Sequence, residues 1–120
     1  MNKQAAQFIK VGATGRFEWT TSRNEGRGVE ITRHDAGTFE IVEVHSNDFV
    51  ISIVKDDFKG EPKKRVYCSI PVQKKPKTDK SGHTESNVLT WLPDGFHDRQ
   101  TDARVGGFCY TFDRKMTFNA

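Results

Sequence analysis

A polar chain of 120 residues with 34% apolar side chains and a net charge of +3 has material for one core, so residues 1–120 read as a single domain. No apolar run is long enough to span a bilayer and none between Met1 and Val11 resembles a leader, which argues against a membrane role. Cys68 and Cys109 lack CxxC spacing and sit in alternating apolar runs, so two packed, reduced thiols and a cytoplasmic location are expected.

Nine Phe, two Trp and two Tyr favour a pleated sheet over helices. The one helix signal comes first. Asn2 as N-cap, Ala5 and Ala6, and a stop at Gly12 predict a short N-terminal helix with Ala5, Phe8 and Ile9 on one face. Residues 16–21 follow as a strand carrying Phe17 and Trp19, then a loop over 22–28. Residues 29–32 alternate, His34-Asp35-Ala36-Gly37 reads as a turn, and 38–44 form a strand whose phase slip calls for a bulge near Ile41 and Val42 or for burial on both faces. A turn over 45–48 leads to a strand with Phe49, Ile51 and Ile53 inward. A fourth strand over 65–72 places Val66, Cys68, Ile70 and Val72 on one side.

Residues 73–87 have no apolar side chain and read as a long exposed loop. A strand over 88–92 stops at Pro93-Asp94-Gly95, and residues 96–107 read as a polar loop. The last strand, 108–112, puts Phe108, Tyr110 and Phe112 on one face, with a turn at 113–115. Short strands joined by turns predict a mainly β domain, a small antiparallel β-barrel or curled sheet of SH3-like or OB-like kind with long polar loops.

Charge is uneven along the chain: residues 61–80 hold seven basic and two acidic side chains. Lys63, Lys64 and Arg65 precede the fourth strand, and Lys74, Lys75, Lys77 and Lys80 follow it. Such clusters attract a phosphate backbone by counterion release, and Tyr67 offers a stacking surface for bases. The acidic residues Asp48, Asp56, Asp57 and Glu61 match no EF-hand spacing, and no pair among the four His and two Cys has metal-ligand spacing. No cofactor or metal is therefore expected. Over 94–104, His97, Asp98, Arg99 and Asp102 are the best acid/base and phosphate-clamp candidates, but no nucleophile elbow, HExxH or Walker loop accompanies them.

The expected function is a non-catalytic binding module that contacts nucleic acid or a nucleotide through the basic loop. The alternative is a protein-interaction factor, an inhibitor or adaptor of the kind encoded by phages or plasmids to block a host protein. Its anchors would come from Trp19, Trp91, Phe96, His97, Arg99 and Arg104. An unpaired last strand would also allow a homodimer.

Overall fold

The computed structural model describes every residue except 27, 58, 59, 61, 62 and 105. Glu61 of the acidic group therefore lies outside the described residues. Helix α1 (Lys3–Phe8) is only six residues long; the Asn2 side-chain oxygen accepts the Ala5 backbone N–H at 2.8 Å. A helix this short persists only by docking. Its Ala5 is fully buried, and Phe8 stacks on Phe118 at 5.2 Å and on Trp91 at 6.3 Å between ring centroids.

Eight strands follow: β1 (Thr14–Asn24), β2 (Val29–Val44), β3 (Asp48–Lys55), β4 (Lys64–Ser69), β5 (Lys77–Thr78), β6 (His83–Leu92), β7 (Gly95–Arg104) and β8 (Cys109–Phe118). They form one antiparallel sheet in the order β4-β3-β2-β1-β8-β7-β6-β5. The Arg114 Nη1 of β8 donates to the Ser69 carbonyl of β4 at 2.9 Å. Those strands are four positions apart, about 19 Å in a flat sheet, so the sheet must curl toward the face that carries Arg114.

The segment 70–76 then passes from one sheet edge to the other. Gln73 Nε2 donates to the Asn87 carbonyl at 2.6 Å, its Oε1 accepts the Leu89 N–H at 2.8 Å, and Asn87 Oδ1 accepts the Lys74 N–H at 2.9 Å. Side-chain amides thus bridge the two edges where no ladder pairs β4 with β5 or β6 among the described residues. The sheet is curled and open.

The core fills the concave face at one end. Phe17, Phe39, Ile41, Phe49, Ile51, Phe96, Met116 and Phe118 are buried there, with Phe39 edge-on to Phe118 at 5.2 Å. The inward alternation of Phe49, Ile51 and Ile53 is as expected, and the β2–β3 register shifts between Ile41 and Glu43, where the phase slip predicted a bulge.

Five sequence expectations need correction. His34 to Gly37 is strand rather than turn. Residues 34–37 pair with 17–20 of β1, and Gly37 permits an approach of β3 so close that a Cβ would overlap the Val54 carbonyl. The long loop over 73–87 contains β5 and the start of β6, while the polar stretch after Gly95 is β7. β5, the start of β6 and β7 beyond Asp98 are paired on ladders and at least partly exposed on both faces, so no apolar alternation announces them. Asp113 to Lys115 continues β8. Strand β8 is held between β1 and β7, which removes the unpaired last strand that suggested a homodimer. The two thiols are unpaired, with Cys68 buried in the core.

Candidate functional site

Beyond the core the same concave face continues outward uncovered. Ladder partners share a face. Asp98 lies opposite Arg114 and Leu89, Gln100 opposite Phe112 and Asn87, and Asp102 opposite Tyr110 and Glu85. On the other side of β8, Phe112 faces Thr21 and Tyr110 faces Arg23. The result is a polar floor on β6 and β7 beside an aromatic row on β8. Phe108 is 45% exposed, Tyr110 44% and Phe112 37%, and the Phe108 and Tyr110 rings are 6.1 Å apart.

Two adjoining hollows lie along this face. One, of about 380 Å³, lies against the bridging segment and is lined by Lys74, Lys75, Lys77, Asn87, Asp98 and Gln100 among others. The next, of about 390 Å³, is lined by Asp102, Tyr110 and Phe112; Glu85, Ser86 and Gln100 belong to both. Three of the predicted lysines therefore edge a groove that leads to exposed aromatic rings.

The inner end of the groove is a buried polar network. Asp98, 2% exposed, accepts from Asn87 Nδ2 at 3.1 Å, and its other oxygen lies 3.4 Å from both Gln100 Nε2 and Arg114 Nη2. Arg114, 4% exposed, sits with its Cζ 5.3 Å from the Phe96 ring centroid, and its Nε has no hydrogen-bond partner among the described residues. Burial lowers the guanidinium pKa, opposed by the nearby Cys68 and Asp98. Burial likewise pushes the Cys68 thiol up to about 11, against the pull of Arg114.

At the outer end, His83, Glu85 and Asp102 converge, with their ligand atoms all within 4.8 Å of one another. His83 Nε2 contacts Asp102, while Nδ1 lies 3.5 Å from Asp79. Hydrogen bonds from the Ser81 hydroxyl and the His83 backbone N–H hold the Asp79 carboxyl down at about 2.

The remaining predicted residues are scattered. Lys63, Lys64, Arg65 and Tyr67 lie on or beside β4 and line neither hollow; Arg65 faces Glu43 at 3.9 Å and Tyr67 is 73% exposed. Lys80 is exposed in the turn between β5 and β6. Phe96 is wholly buried and Trp91 packs against it and Phe8, so neither is a surface anchor. Trp19 is likewise committed to Phe17. Arg104 is exposed at the end of β7.

The strand geometry also divides the proposed acid/base set. Period two sends Asp98 and Asp102 to the concave face and His97 and Arg99 to the other, where both bind Asp113 at 2.9 Å. Asp56 is spent on Arg16 at 2.6 Å. The residues missed by sequence reasoning are Tyr110, Phe112, His83 and Glu85. Their signal was present in two alternating runs, Phe108-x-Tyr110-x-Phe112 and His83-x-Glu85, but only pairing shows that polar strands flank both. No family model matches the chain, and no curated protein or solved structure shows significant similarity to it.

Proposed function

We propose that this chain is a non-catalytic binding module that lays a single-stranded nucleic acid or a nucleotide along the concave groove. Lys74, Lys75 and Lys77 take phosphates at one side, and Tyr110 and Phe112 supply stacking faces for bases. The observation that carries this reading is the meeting of those lysines and the exposed aromatic row on one face. Gln100, exposed where the two hollows meet, offers an amide to base edges. A curled sheet with an oligonucleotide on one face is the way OB-fold barrels work, and the proposal extends to that likeness. Two unpaired cysteines suit a reducing cytoplasm.

Fluorescence anisotropy with short single-stranded oligonucleotides over a salt series tests the reading. Three phosphate contacts predict a log–log slope of about −2. Tyr110→Ala and Phe112→Ala should each weaken binding by about 1–3 kcal/mol. Lys63→Gln and Lys64→Gln, away from the groove, should change little. Absence of binding at low salt would end the proposal.

One observation favours a protein partner as the second reading. Among the described residues β3 pairs β2 from Gly37 onward and none pairs the same edge of β2 over 29–35, where Val29 and Ile31 are 70% and 65% exposed. An extended segment of an inhibited host protein would add to such an edge by strand pairing. Capture of a protein partner that is lost on Ile31→Lys would favour this reading.

A further inference from the structure

We propose that His83, Glu85 and Asp102 bind a divalent cation of the Zn²⁺ class at the outer end of the groove. The ladder builds the site: Glu85 and Asp102 are direct partners on β6 and β7, and His83, two residues before Glu85, shares its face. One imidazole and two carboxylates form a donor set for Zn²⁺ or its neighbours, whereas Mg²⁺ prefers an all-oxygen octahedron with several waters. Tetrahedral zinc bonds of 2.0–2.2 Å require ligand atoms about 3.3–3.6 Å apart. The atoms here already lie within 4.8 Å, and the exposed Glu85 side chain has the torsions to close the difference.

Two further features fit the same assignment. Asp79 stands 3.5 Å from His83 Nδ1 and is itself fixed by the Ser81 N–H at 2.9 Å, the Ser81 hydroxyl at 2.7 Å and the His83 N–H at 3.0 Å. A carboxylate on one imidazole nitrogen orients the other toward a metal and raises its basicity. Across the ladder, Glu85 and Asp102 are like charges directly opposite one another, a destabilising arrangement that a cation relieves. No Lys or Arg ion pair reaches either carboxylate among the described residues, although Lys77 is the ladder partner of Glu85.

Three protein ligands leave a fourth position, which marks a site that holds an exchangeable ligand rather than a closed structural one. Glu85 borders both hollows, so that position opens onto the groove and would take an anionic oxygen. The cation site itself stands whether or not the groove binds nucleic acid.

Calorimetric titration with Zn²⁺ alone tests it on the whole chain, independently of any nucleic acid. One equivalent is expected to bind. His83→Ala should abolish binding, and Glu85→Gln and Asp102→Asn should each weaken it at least tenfold. Asp79→Asn should weaken it by about 10–100-fold while leaving the three ligands in place. The exposed Glu85→Gln variant, verified as folded by circular dichroism, keeps the test decisive if His83→Ala does not fold. Failure of the wild type to bind Zn²⁺ would overturn the proposal. Binding unchanged in Glu85→Gln and Asp102→Asn would do the same, because it would place the ion on other surface histidines.

Discussion

Replacing Asp98 by Asn should destabilise the protein far more than a typical surface change. The Asp98 carboxylate and the Arg114 guanidinium are 2% and 4% exposed, with Oδ2 and Nη2 3.4 Å apart. At an effective dielectric constant near 20 their attraction is about 5 kcal/mol. Desolvating two such ions costs several kcal/mol each, so the pair gains little over an apolar equivalent. Breaking it is another matter. Asp98→Asn leaves a buried guanidinium whose remaining partners are the Ser69 carbonyl, the Phe96 ring and the Cys68 thiol, at an expected cost of about 3–5 kcal/mol. Arg114→Met should cost less, about 2–3 kcal/mol, because Asn87 and Gln100 still donate to the Asp98 carboxylate. The double variant should recover much of the loss. Urea unfolding followed by the fluorescence of Trp19 and Trp91 measures all four corners of the cycle. A loss below about 1 kcal/mol for Asp98→Asn, or strictly additive losses, would refute the reasoning.

Other outcomes follow from single contacts. Gly37→Ala should lower stability by about 1–3 kcal/mol, seen as a lower denaturation midpoint, because its Cβ has no room beside the Val54 carbonyl. The Cys68 thiol, raised from 9.0 to about 11 by burial, should react with a thiol reagent at pH 8 only as fast as the chain opens. Its raised folded-state pKa means that the associated stability is present below pH 9 and lost as pH rises through about 11. A Cys68→Ala variant should lack that alkaline loss in a pH series of thermal melts.

Much of the core half was legible in the chain. Phe49, Ile51 and Ile53 alternate because one face of β3 is buried. The change of phase after Ile41 marked the bulge, and Asn2 before two alanines marked the helix start. The groove half was not. The strands from His83 to Asn87 and from Arg99 to Arg104 are wet on both faces, so hydrophobic periodicity has nothing to report. Asp113-Arg114-Lys115 read as a turn because three consecutive charges rarely lie within a strand beside a core. Arg114 can be buried there only because Asp98, Ser69 and the Phe96 ring, all distant in sequence, meet it.

The sequence by itself determined a β-rich domain with an aromatic core, a short capped helix and a cluster of lysines around residues 74–80. Those depend on local preference and on charge, which neighbours in the chain already express. Only the tertiary structure decided which lysines share a face with Tyr110 and Phe112, and that His83 meets Asp102. Ladder register and sheet curl choose those partners. Both arise from pairing between distant segments, where a shift of one residue would send every side chain to the opposite face.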